Sequence, residues 1–177
     1  MIGQHGPDGG SGMASVMITS QARDEHDHLR RLLRRQANTV VVITAVGAER
    51  PVGFTATTFT PVSMRPPLVS FCLHRASSSW PTFETAAYVA VHLLKAGQAD
   101  VAKTFATPGI DRFAVTAWRP GPYNLPILDE ALAWLACRVA KRIAAGDHTI
   151  VLAAPMAADY VDGVPLIYHN GAYSHRP

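Results

Sequence analysis

The chain has 177 residues, 48% apolar and 16% charged, with a formal charge of +3 and a pI near 9.1. That length suits one domain with a sizeable core. The basic balance does not specify a nucleic-acid surface: the densest group, Arg30, Arg31, Arg34 and Arg35, interleaves with Leu29, Leu32 and Leu33 at helical spacing and reads as a solvated helix face. No run approaches the ~18 apolar residues of a membrane span, and the N-terminus lacks the basic start and apolar core of a secretory signal. A cytoplasmic protein with no membrane or nucleic-acid partner is therefore expected. Cys72 and Cys137 stand in apolar runs without Cys-x-x-Cys or Cys/His ligand spacing, so free thiols are expected and no metal site.

Residues 1–22, Gly- and Ser-rich without periodicity, read as a disordered extension, with Met13 or Met17 as alternative starts, and 23–177 as one domain. A helix is expected over 24–37. Residues 40–46 and 52–59, separated by a polar turn at 48–50, read as a hairpin. A third strand follows at 68–73, a short helix near Trp80 and Pro81, and a fourth strand at 88–94. Residues 98–107 suit a helix with Val101, Ala102 and Phe105 on one face, stopped by Pro108 and Gly109. The stretch 110–126 reads as loop. Residues 131–143 alternate, placing Leu135, Cys137 and Val139 on one side and Arg138 and Arg142 on a wet side. After a turn at Gly146 and Asp147, 148–154 returns as an apolar strand, and 165–173 closes as a strand pair around Asn170 and Gly171.

Many medium strands with few helices indicate a mainly β chain, an antiparallel barrel rather than a doubly wound sheet. There is no Gly-x-Gly-x-x-Gly after a strand and no Walker-type loop, so any nucleotide is held differently.

Residues 53–71, Gly-Phe-Thr-Ala-Thr-Thr-Phe-Thr-Pro-Val-Ser-Met-Arg-Pro-Pro-Leu-Val-Ser-Phe, are the most suggestive stretch. A flat isoalloxazine ring needs donors to its carbonyls and N5 and a backbone that comes close, which Thr55, Ala56, Thr57 and Thr58 allow. A Thr-rich strand on a half-exposed sheet face is the competing reading. Pro66 and Pro67 set an extended start to the next strand. Ser77, Ser78 and Ser79 precede a helix, where they offer hydroxyls and free N–H groups to a phosphate, with Arg75 adding charge; ordinary helix capping is the alternative. His148 begins an apolar strand after a tight turn, facing a cavity or satisfied structurally.

Six motifs in order carry a family resemblance: Pro-Val-Gly-Phe-Thr-Ala-Thr-Thr-Phe (51–59), Val-Ser-x-x-Pro-Pro-Leu-Val (62–69), Asp-Arg-Phe (111–113), Leu-Ala-Trp-Leu-x-Cys (132–137), Gly-Asp-His-Thr (146–149) and Pro-Leu-x-Tyr-x-x-Gly-x-Tyr (165–173). Over 29–173 the sequence resembles the flavin reductase family, whose fold is the FMN-binding split barrel and whose members are reductase components of two-component flavin-dependent monooxygenases. Arg65 departs from the family's usual acidic residue before the double proline. The resemblance implies that Thr55, Ala56, Thr57 and Thr58 line the isoalloxazine edge and that Ser70, Phe71 and Cys72 pass beneath it. It implies His148 beside the nicotinamide as the catalytic residue. Arg112 and Phe113 cover the flavin or a dinucleotide, or form a salt bridge and an anchor; Tyr168 and Tyr173 are ambiguous in the same way. Trp118 and Trp134 read as packing residues.

The implied activity is hydride transfer from NADH, favoured over NADPH, to FAD or FMN, with reduced flavin diffusing to a partner monooxygenase of specialised metabolism. A homodimer is implied as well. The alternatives are a non-catalytic flavin-binding protein and an oxidase resembling pyridoxamine-phosphate oxidase, which would need a denser basic set than Arg75 and its serines.

Overall fold

The computed structural model describes Asp24 and residues 27–174, so the extension expected over 1–22 lies outside the described residues. The chain divides into two units after Gln36. In the first, residues 27–33 are helical (α1) and the chain turns at 34–35, earlier than the expected end at 37.

The second unit is mainly β. Strands β2 (Val41–Val46), β3 (Pro51–Ala56), β4 (Thr60–Met64), β5 (Pro67–His74), β6 (Tyr88–Leu93), β9 (Ala133–Ala145) and β10 (His148–Tyr160) form one sheet in the order β3-β2-β6-β9-β10-β5-β4. All its ladders are antiparallel. No ladder joins the outer strands β3 and β4 among the described residues, so the sheet is open rather than closed into a barrel. Helices α2 (Trp80–Thr85) and α3 (Ala99–Ala106), a hairpin of β7 (Trp118–Pro120) and β8 (Pro126–Leu128), and a small sheet of β1 (Asn38–Thr39), β11 (Ile167–His169) and β12 (Ala172–Ser174) complete the unit.

Alternation assigns the sheet two buried faces. Val41, Ile43, Phe54, Phe71, Phe83, Val91, Cys137 and Val151 share one core, so strands from both halves of the sheet and α2 close around it. On the other face, Val40 and Val42 pack with Ala102 and Phe105 of α3, and Ala90 and Ala136 pack with Leu125 and Ile127. Double coverage is why 40–43 reads as an unbroken apolar run instead of alternating.

Four further expectations change. The strand expected over 52–59 ends at Ala56, and Thr60–Met64 form a separate strand against β5, because the chain bends at 57–59. The loop expected over 110–126 contains β7 and, at Pro122–Asn124, a turn of 3-10 helix. Strand β10 runs to Tyr160 rather than 154. Arg142 is not on the wet side: the register between β9 and β10 skips Ala140, and this bulge reverses the alternation. Arg142 instead donates from Nε to the Phe83 carbonyl (3.0 Å) and from Nη2 to the Ala86 carbonyl (2.5 Å), closing the C-terminus of α2.

Candidate active site

Two sheet-end features frame the site. The first is the junction of β5 and β10, where register places His74 opposite His148. Asp147, in the turn before β10, lies between them. Its Oδ1 is 2.7 Å from His148 Nδ1 and its Oδ2 is 3.3 Å from His74 Nε2, while the two imidazole rings meet edge to face at 4.9 Å. The Ala76 N–H donates to His74 Nδ1 at 3.0 Å. An acceptor at Nδ1 requires the proton of neutral His74 on Nε2, directed at Asp147. Asp147 thereby accepts from both rings, and His148, with Nδ1–H committed, keeps Nε2 for a bound molecule. The hydrogen bond from His148 is the main reason the Asp147 carboxyl is held below its ordinary range, with charge attraction from both histidines adding to it.

These three side chains have metal-ligand chemistry, with donor atoms within 4.8 Å of one another. The outer contacts oppose a metal. A ligating imidazole ordinarily donates its second N–H to an acceptor, whereas His74 Nδ1 faces the Ala76 N–H donor.

The second feature is a cavity of about 250 Å³ where the start of β3, the residues before α2 and the loop 109–113 meet. Arg112 organises it. Its Nη1 donates to the Gly53 carbonyl at 2.5 Å and to Ser79 Oγ at 3.2 Å, and its Nε and Nη2 donate to the Thr107 carbonyl at 3.2 and 2.9 Å. Ser79 Oγ also donates to Gly53 O at 3.3 Å. Burial lowers the Arg112 pKa, but the surrounding acceptors keep its charge compensated. The Ser78 hydroxyl, on the same wall, makes no hydrogen bond to another described residue. Gly53 is required here, since an added Cβ would lie 2.8 Å from Phe105 Cε1 and 2.9 Å from the Ile43 carbonyl.

Residues 74–79 join the two features. The Arg75 N–H donates to the Asp147 carbonyl at 3.0 Å, its guanidinium reaches the Gly146 carbonyl, and the Ser77 N–H donates to the His74 carbonyl at 3.0 Å. Ser77 Oγ accepts from the Ser79 N–H at 3.3 Å.

The remaining candidates separate. Cys72 N–H donates to Thr58 Oγ1 at 2.9 Å, which brings 57–58 beside β5 and leaves the Thr58 hydroxyl hydrogen available. Thr55 instead donates to the Ala102 carbonyl of α3 at 2.6 Å. Ala56 and Phe71 are buried in the core, so exposure to a ligand on β5 falls to Ser70 and Cys72, both half-buried. Phe113, Tyr168 and Tyr173 come together in the second core, with Tyr168 directly opposite Tyr173 and the rings 5.2 Å apart. Burial raises the Tyr173 pKa, with Tyr168 contributing. Burial also pushes the Cys137 thiol up to about 12, which keeps it protonated and inert.

Residues 33–176 match the family described as flavin reductase like domain. The chain belongs to that family. A reductase subunit of a flavin-dependent monooxygenase from Mycobacterium tuberculosis is 35% identical over 82% of this chain and 79% of its own. A probable flavin reductase from Rhizobium meliloti is 39% identical over 77% of this chain, but the match spans only 44% of that relative's length. Among solved structures, a Streptomyces globisporus NADH:FAD oxidoreductase in complex with NAD and FAD fragments superimposes with a TM-score of 0.80 at 30% identity, covering 85% of this chain and 92% of that one.

Within this flavin reductase domain, sequence reasoning singled out His148 but missed His74, Asp147 and Gly53. Asp147 stands inside the Gly-Asp-His-Thr motif and was legible there as a neighbour. His74 was not, since only strand pairing brings it across from His148.

Proposed function

We propose that the protein is an NAD(P)H:flavin oxidoreductase that reduces FAD or FMN and releases the reduced flavin to a partner monooxygenase. The observation that carries this reading is the joining, by residues 74–79, of an oriented His148 to a cavity lined by Arg50, Arg112 and the Ser78 hydroxyl. The donor set fits a flavin nucleotide. Ser78 offers an unpaired hydroxyl, Arg50 and Arg112 supply positive charge, and Thr58 presents a hydroxyl beside β5.

When bound, the flavin supplies the electron-accepting ring. The chain's own residues bind and orient. Ser78 and Arg50 would take the phosphate, Arg112 holds the cavity wall, and Thr57, Thr58, Ser70 and Cys72 would border the ring. His148 Nε2, oriented through Asp147, would position the nicotinamide side and hold or yield a proton there. Holding the two rings close would remove much of the entropic barrier, so the reaction asks the chain for placement more than for covalent chemistry.

The shared core of β3, β5 and β10 supports reading the open sheet as a split barrel. A cytoplasmic homodimer belongs to the same reading, and the exposed Val62 and Met64 on outer strand β4 support a partner surface. Sedimentation finding an active monomer would remove the dimer.

The test is oxidation of NADH and of NADPH by purified protein with FAD, with FMN and without flavin. Flavin-dependent oxidation is expected. Flavin binding without oxidation by either donor overturns the reductase reading in favour of a binding protein.

A further inference from the structure

His74 is the last residue of β5, on the half-buried face that also carries Ser70 and Cys72, and it stands in register with His148 at the start of β10. Its ring makes polar contacts on two sides. Nδ1 accepts the Ala76 N–H at 3.0 Å, two residues on, the bond with which an Asn or Asp side chain closes a turn. Nε2 lies 3.3 Å from Asp147 Oδ2.

We propose that His74 is a positioning residue for flavin reduction, acting on His148 through Asp147, and that its two ring nitrogens carry separate tasks. Nε2 holds the carboxylate that orients His148, and Nδ1 shapes the segment that leads to Ser78.

The first task follows from how little else holds Asp147. Its side chain is 74% exposed and belongs to the turn between β9 and β10, with its other oxygen bonded to the adjacent His148. A carboxylate so exposed, held by one partner, readily turns about its side-chain bonds and exchanges that partner for water. The contact from β5 fixes its plane, with Oδ1 facing His148 and Oδ2 facing His74. The edge-to-face meeting of the two imidazoles, at 4.9 Å and 88°, sets the tilt of the His148 ring as well. Exposed ion pairs contribute little to folding, so the loss of this one should appear in the rate rather than in the stability.

The second task follows from the turns that begin at His74. Ala76 N–H bonds to the ring, Ser77 N–H to the His74 carbonyl and Ser79 N–H to Ser77 Oγ, and this run delivers Ser78 to the wall of the cavity that holds Arg112. Asparagine and glutamine separate the two tasks. Asparagine at position 74 keeps an acceptor near the place of Nδ1 but does not reach Asp147, whereas glutamine brings an N–H donor to the place of Nε2 and gives up the short turn.

The inference rests on the flavin reductase reading. The test is titration with FMN, and rapid-mixing reduction by NADH at saturating FMN, of the full-length protein, His74→Asn, His74→Gln, Asp147→Asn and the double variant of His74→Asn with Asp147→Asn, with melting transitions recorded for each. His74→Asn should slow reduction about threefold or more while its Kd for FMN stays within about twofold. His74→Gln should restore the rate to within about twofold of the original and bind FMN more weakly. The double variant should be as slow as Asp147→Asn alone, because His74 acts only through that carboxylate. An unchanged rate in His74→Asn, equal slowing by asparagine and glutamine, or losses that multiply in the double variant overturns the positioning role. Unaltered FMN binding in His74→Gln overturns the task of Nδ1. A lowered melting transition in both single variants at position 74 assigns the residue to folding and overturns the proposal. Failure of the reductase reading shows separately, as absent flavin-dependent turnover in the unaltered protein.

Discussion

Acidification should loosen the β7–β8 hairpin through one buried histidine. His92 is fully buried; its Nε2 accepts from the Leu128 N–H at 3.2 Å, so its Nδ1 carries the proton donated to the Val42 carbonyl at 3.1 Å. Burial is the main reason its pKa falls from 6.5 to about 4, with the charge of Arg119 adding and the Val42 hydrogen bond opposing. The folded value lies below the unfolded one, so protons bind the unfolded chain preferentially. His92 therefore costs no stability above about pH 6.5, and its contribution is lost progressively as pH falls toward 4. With those two values, the loss between about pH 7.5 and about pH 5 is ~2 kcal/mol, reaching ~3 kcal/mol below pH 4. Leu128 is the register partner of Trp118, so a protonated His92, which can no longer accept, weakens the strand that positions Trp118. Urea unfolding at the two pH values, compared with His92→Asn and His92→Gln, isolates this group from the other histidines. The original protein should lose ~2 kcal/mol more than either variant over that interval. Equal losses in all three would refute the reasoning.

Asp147→Asn should lower the rate of flavin reduction ~10-fold or more while leaving flavin affinity near its original value, because it removes the carboxylate that orients His148; rapid-mixing kinetics with an unchanged rate would count against His148 acting through Asp147. Arg112→Ala removes the brace between Gly53, Ser79 and Thr107 and should cost ~1–3 kcal/mol in stability together with weaker flavin binding. A variant that melts and titrates with flavin like the original sinks that role. Gly53→Ala forces a methyl against Phe105 and the backbone of Ile43 and should destabilise by ~1–3 kcal/mol, read as a lower urea midpoint; an unmoved midpoint contradicts the close approach.

The mainly β class, the helices around Trp80 and 98–107, and the hairpin turning at Gly146 and Asp147 follow from local pattern alone, because period, proline and glycine act over a few residues. The β-branched run 40–46 likewise reads as the first strand of a hairpin, and β2 pairs with β3 as expected. The family, too, was legible, since its six motifs are contiguous stretches of chain. What failed were features without a local signature. The bulge at Ala140 that turns Arg142 inward exists only as a mismatch between two strands. Strand β4 and the short β7 bury little, so their residues carry no alternation to read.

The same division runs through the site. Thr58, Ser78 and His148 are visible as residue types beside turns and a helix start, but their partners are distant in sequence. Ser79 and Arg112 meet over Gly53, and His74 meets Asp147 and His148 across a ladder. The sequence by itself determined the class of fold, the family and several of the donors. Tertiary structure alone decided which hydroxyls are spent, which nitrogen of each histidine carries the proton, and that His74 stands across from His148, because those properties belong to pairs of groups that only strand register and packing bring within hydrogen-bonding distance.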